Sequence, residues 1–142
     1  VKKKAAPFKN FINEKELIIT ADTIVWHDNM CLGKPKSKLE AKSMLKSLSS
    51  NSHEVITAVG FLQKNNWQTI YEISKVTFGL ISEKEILSYI ETGSTMDKAG
   101  SYGIQDPFGI RNITSIEGSY TNIIGLPVTQ VLKKINEITS QK

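Results

Sequence analysis

Cysteine is almost absent from this chain of 142 residues: Cys31 stands alone, which excludes an internal disulfide and a zinc cluster. A reducing, cytoplasmic setting is the default expectation. Histidine is scarce too, and His27 and His53 share no metal-ligand spacing with each other or with Cys31. Both read as structural or solvent-facing. No apolar run approaches the roughly 18 residues that a membrane span needs. The basic N-terminus, with Lys2, Lys3 and Lys4, is not followed by the apolar stretch of a secretory signal. The Gly-x-x-x-x-Gly-Lys-Ser/Thr phosphate loop is missing. Aromatic residues do not interleave with the basic ones, as they do in single-strand binders. The net charge of +4 suits anionic partners. Part of the excess sits at the two ends, so a solvated basic face explains it better than a nucleic-acid patch.

What is present is an ordinary globular composition, 39% hydrophobic and 23% charged, long enough for one domain with a real core. Residues 17–26 are rich in β-branched side chains and read as a buried strand interrupted by Asp22 and Thr23. His27-Asp28-Asn29 marks a turn and Gly33-Lys34-Pro35 a loop. Ser37 with Glu40 resembles a capping box, and Ala41, Met44, Leu45 and Leu48 follow at helical spacing, so a helix is expected over about 38–48. Residues 53–63 and 67–78 read as paired strands about Asn65-Asn66. Ser82 and Glu85 cap a second helix that Gly93 stops. A short strand near 112–116 precedes a last helix opened by Gly125-Leu126-Pro127, with Val128, Val131, Leu132, Ile135 and Ile138 as its apolar stripe. Alternating helices and strands with one inserted hairpin indicate an α/β protein whose mixed sheet is flanked by helices.

Three places could carry chemistry. Residues 96–105 combine two charges, Gly100 and Gly103, and the two-sided amide of Gln105, which suits a ring-reading pocket. Asp22 lies on a strand otherwise apolar, where a carboxylate costs several kcal/mol unless paired or metal-bound. Lys34 lies just before a helix start, a place that favours phosphate. Asp97, Asp106 and Glu117 are further carboxylates able to help hold a hard cation. Trp26, Trp67, Tyr71 and Phe78 read as core or cross-strand residues rather than stacking platforms.

Taken in order, the motifs resemble the Maf family of nucleoside triphosphate pyrophosphatases. The matching stretches are Thr20-Ala21-Asp22-Thr23-Ile24-Val25, Leu32-Gly33-Lys34-Pro35, His53-Glu54-Val55-Ile56-Thr57, the run from Asp97 to Gln105, Glu117-Gly118-Ser119-Tyr120 and Asn122-Ile123-Ile124-Gly125-Leu126-Pro127. The resemblance implies an inosine-triphosphatase-like architecture and hydrolysis of a nucleoside triphosphate to monophosphate and pyrophosphate. It implies Asp22 as the catalytic general base and as a ligand of a divalent metal, Mg²⁺ or Mn²⁺. It implies substrate contacts by Thr23, Lys34, Lys98, Gln105 and Lys4. The Asp-Lys-Ala-Gly…Gln form resembles the dTTP/UTP branch, whereas the 7-methyl-GTP branch differs there. A homodimer, a cytoplasmic location and a tie to septum formation and division arrest come with the same resemblance.

Two departures set further expectations. The family opens with a strand and a Ser-x-Ser-Pro-Arg-Arg loop that this sequence does not contain, so the chain is expected to lack one sheet strand and a phosphate-facing arginine. Asp106 stands where many relatives carry glycine, adding negative charge at the substrate edge. A pyrophosphatase for modified or purine nucleotides, and a non-catalytic nucleotide- or nucleic-acid-binding regulator of division, remain alternatives at this point.

Overall fold

Two long strands joined by a tight turn form the spine of the molecule. In a computed structural model, which describes residues 1–140, these are β3 (Ser52–Gln63) and β4 (Asn66–Phe78). Beside them lie β1 (Ile18–His27), its short hairpin partner β2 (Met30–Leu32), and β5 (Ile113–Glu117). The sheet order is β2-β1-β3-β4-β5. The helices are α1 (Lys2–Ala5), α2 (Lys38–Leu48), α3 (Glu83–Glu91), α4 (Pro107–Asn112), α5 (Tyr120–Ile123) and α6 (Val128–Ser140). The α/β class and the helix-flanked sheet are as the sequence suggests. The sheet is not mixed as the alternation suggests: all four described pairings are antiparallel. The physical reason is the hairpin β1–β2, which adds a reversal before α2 leads into β3.

Alternation along the strands sorts side chains onto two faces. One face carries Val25, Val55, Val76 and Phe78 against Leu45 and Leu48 of α2 and Ile86 and Ile90 of α3. Leu45 and Leu48 are fully buried, so truncating either to alanine costs about 2–5 kcal/mol. The same face continues to Val59 and Phe61, which α6 covers with Val131 and Ile138. On the other face Ala5 and Ile12 pack on Ile18, Leu62 and Trp67. The Trp67 ring lies over Gly60, where a Cβ has no room.

Local chemistry explains the helix starts. Ser82 accepts from the Glu85 backbone N–H while the Glu85 carboxylate accepts from the Ser82 N–H, a complete capping box. Ser37 accepts from the Glu40 N–H at 3.1 Å, but the Glu40 carboxylate takes the Lys36 N–H instead. Among the described residues no helix is long and apolar enough to cross a membrane.

Three sequence expectations change. β1 is continuous through Asp22 and Thr23, and only its Val25 and His27 are buried. It pairs with β3 over 18–26 but with β2 only over 25–27, so the earlier flank has no strand partner among the described residues and tolerates polar side chains. Of the aromatics expected in the core or in cross-strand pairs, Phe78 is buried, while Tyr71 and Trp26 take only the cross-strand place, opposite Ala58 and Glu54, and are exposed. In the α6 stripe Val128 and Leu132 remain exposed. His27 and His53 are both buried and structural.

Candidate active site

Lys4, Asp22, Thr23, Lys34, Lys98 and Gln105 come from four separate stretches of the chain, and all border one cleft of about 580 Å³. Asp22 and Thr23 are neighbours on β1 and so point to opposite faces. The Asp22 side chain is 54% exposed and meets Lys4 Nζ at 2.5 Å. The desolvation cost expected of a core carboxylate therefore does not arise, because this strand flank opens to solvent. Lys4 Nζ also donates to the Ala21 carbonyl at 2.8 Å, which ties α1 to the open edge of β1. An ion pair this exposed contributes less than about 1 kcal/mol, so the two groups can exchange partners readily.

Thr23 turns inward. Its Oγ1 lies 2.9 Å from Thr57 Oγ1, and the Thr57 hydroxyl donates to the Asn122 carbonyl at 2.9 Å. A threonine hydroxyl has one proton, so Thr23 is the donor to Thr57. The amide of Asn122 in turn donates to the Val55 carbonyl and to Ser74 Oγ, fastening α5 onto β3 and β4.

The loop over 97–106 closes the other wall. The Gly100 N–H donates to the Gly33 carbonyl at 3.1 Å, joining this loop to the one that carries Lys34. Gly100 has φ +67, and a Cβ there would sit 3.0 Å from Val25 Cγ2, so glycine is favoured both by conformation and by space. Lys34 is exposed and forms no ion pair among the described residues. Lys98 Nζ, by contrast, donates to the Ser94 carbonyl at 2.7 Å, and it lies 3.2 Å from Asp97 Oδ1 and 3.5 Å from Asp106 Oδ2. Lys98, and more distantly Lys34, hold the Asp97 carboxyl below its usual range. Gln105 is exposed, and its amide has no hydrogen-bond partner among the described residues.

Asp106 borders the cleft, but its charge is already engaged. The Tyr89 hydroxyl donates to its Oδ2 at 2.5 Å, and Lys98 stands on the same oxygen. Burial, and then Asp106, push the Tyr89 phenol far above its usual range, so it stays a donor. Glu117 stands apart from the cleft and pairs with Lys75 at 3.2 Å. Behind the cleft, His53 Nε2 lies 2.6 Å from the Tyr102 hydroxyl and its ring stacks on Phe78. Burial first, then the charge of His27, lowers its pKa to about 4.

Tyr89 and Thr57 escape a reading of the sequence for site residues. For Tyr89 the available signal is its place on the buried face of α3, where a phenol must find a partner. Among the described residues no three His, Cys, Asp or Glu side chains gather into a cation cage. The acidic donors bordering the cleft are the carboxylates of Asp22, Asp97 and Asp106. That set suits a hard cation shared between a carboxylate, waters and phosphate oxygens, not a zinc-type centre.

The profile described as "Maf-like protein" matches residues 1–138. A protein of Flavobacterium johnsoniae named dTTP/UTP pyrophosphatase is 45% identical over 135 residues, covering 95% of this chain and 70% of the relative. One of Flavobacterium psychrophilum with the same name is 48% identical over 130 residues, covering 92% and 67%. Another so named, from Bacteroides fragilis, is 43% identical over 138 residues, covering 96% and 71%.

Proposed function

From the premise that this chain belongs to the Maf-like protein family, we propose that it hydrolyses dTTP and UTP to the nucleoside monophosphate and pyrophosphate. The observation that carries this reading is the meeting of Asp22, Lys34 and Gln105, from three distant stretches, on one cleft. The names of the relatives support the substrate class. Asp22 is the general base: it takes a proton from water as the water oxygen bonds to the α-phosphorus. The bond from that phosphorus to the bridging oxygen breaks, and pyrophosphate leaves with the electron pair. Lys34, uncommitted in this structure, and Lys4, beside Asp22, face the phosphates. Thr23 and Gln105 lie where the nucleoside is held, and the glutamine amide can both donate to and accept from the O4/N3 edge of uracil or thymine.

A divalent cation, Mg²⁺ or Mn²⁺, held by Asp22 with the substrate's phosphate oxygens, would neutralise charge on the leaving group. Lys98 contacts substrate only after giving up part of its present ion pairing, since Asp97 and Asp106 now share it.

The test is pyrophosphate release by the intact protein over a panel of dTTP, UTP, CTP, GTP and 7-methyl-GTP. Preference for dTTP and UTP is expected, and equal turnover of purines overturns the base assignment. Asp22→Asn is expected to lower kcat about 10²–10⁴-fold, and an unchanged kcat rules out the general-base role.

A further inference from the structure

Tyr89 does not border the cleft, yet its hydroxyl is bonded to both ends of the segment that presents Gln105. It accepts from the Gly103 N–H at 3.2 Å and donates to Asp106 Oδ2 at 2.5 Å. Gln105 lies between those two residues in the chain. The Asp106 N–H also donates to the Gly103 carbonyl at 3.2 Å, so the segment is a closed turn around one phenol oxygen. The Tyr89 ring stacks on Phe108 of α4 with centroids 4.3 Å apart and planes 5° from parallel. The carbonyl of Gly103 presses on Gly109 of the same helix, where a Cβ has no room. The phenol ring and the turn it holds are therefore both packed against α4.

We propose that Tyr89 is a positioning residue that sets the base preference of the cleft by holding Gly103 and Asp106 on either side of Gln105. This rests on the reading of the cleft as a nucleoside triphosphate site. A glutamine amide discriminates between base edges only when its backbone is held to within a few tenths of an ångström, because its hydrogen bonds are directional. Without the hydroxyl, the Gly103 N–H loses its side-chain partner and the Asp106 carboxylate keeps only Lys98. The Asp22 side of the cleft, on β1, is untouched. The loss therefore falls on recognition of the base rather than on the step at phosphorus.

The experiment compares wild type, Tyr89→Phe, Gln105→Ala and the double variant of the intact protein, with dTTP, UTP, CTP and GTP. Tyr89→Phe keeps the stack on Phe108. It is expected to raise KM for dTTP and UTP about tenfold, the worth of a hydrogen bond to a charged group, with kcat within about twofold. The preference over CTP and GTP shrinks by the same factor, and the double variant is no worse than Gln105→Ala alone. Native-state hydrogen exchange at the Gly103 amide is expected to quicken in Tyr89→Phe whatever the activity. Additive losses in the double variant, a kcat loss equal on all substrates, or unchanged Gly103 exchange each overturn the proposal. Wild type inert toward every triphosphate overturns the underlying reading, and this one with it, before any variant is compared.

Discussion

Asp22 and His53 are both polar residues on long strands, and they meet opposite environments. Asp22 opens to the cleft with Lys4 beside it. His53 is buried under Phe78 and Tyr102, with its pKa lowered from the ordinary 6.5 to about 4. A folded-state pKa depressed in this way keeps the imidazole neutral, while the unfolded chain protonates normally. Its contribution to stability is fully present above pH 6.5, declines as the pH falls toward 4, and changes no further below. At about 1.4 kcal/mol per pH unit, the loss over that window is roughly 3 kcal/mol. Urea unfolding at pH 7.5, 5.5 and 4.5 checks this: His53→Phe should show a flatter pH dependence than wild type, and parallel curves would refute it. Neither environment is legible in the residue types. Asp22 is recognisable as special by its place in an apolar run, but the reason for its tolerance, an unpaired strand flank, depends on how far β2 extends.

Among the elements, α2 and α3 are legible almost to the residue, because each starts with a serine cap and buries a 3.6-residue stripe. The short pieces β2, α4 and α5 are not, being three to six residues long and too short for a period to show. Tertiary contacts hold them, such as the Asn122 side chain beneath α5. The loop over 97–106 is intermediate: its glycines advertise a turn, but not which neighbour each one meets. Two substitutions separate local stability from site shape. Ser82→Ala removes the cap of α3 and should cost about 1 kcal/mol while leaving the preference for dTTP and UTP intact. Gly100→Ala forces a left-handed alanine at about 1–2 kcal/mol and drives its Cβ toward Val25 Cγ2, at 3.0 Å. The loop must then lift from β1, so KM should rise along with the loss of stability. Thermal melts paired with KM measurements distinguish the two, and a Gly100→Ala protein with wild-type KM would show that the loop does not shape the site.

At the scale of the whole molecule the net charge of +4 misleads about the cleft. Lys4, Lys34 and Lys98 border it, but so do Asp22, Asp97 and Asp106, three cations against three anions. These side chains alone leave a triphosphate largely unneutralised, and the divalent cation proposed above would supply the missing positive charge. The cleft also joins parts of the fold distant in sequence: β1, the Gly33–Lys34 loop, the 97–106 loop and Gly125 between α5 and α6. A ligand spanning them stabilises the molecule globally, by about 2.7 kcal/mol at a concentration 100-fold above its Kd. For a domain of this size that corresponds to a rise in Tm of about 9 °C. Melting the intact protein with a non-hydrolysable dTTP analogue should show that rise in Mg²⁺ and only a small part of it in EDTA. Equal shifts in the two buffers would mean that the lysines neutralise the triphosphate unaided, and the metal would then have no part in binding.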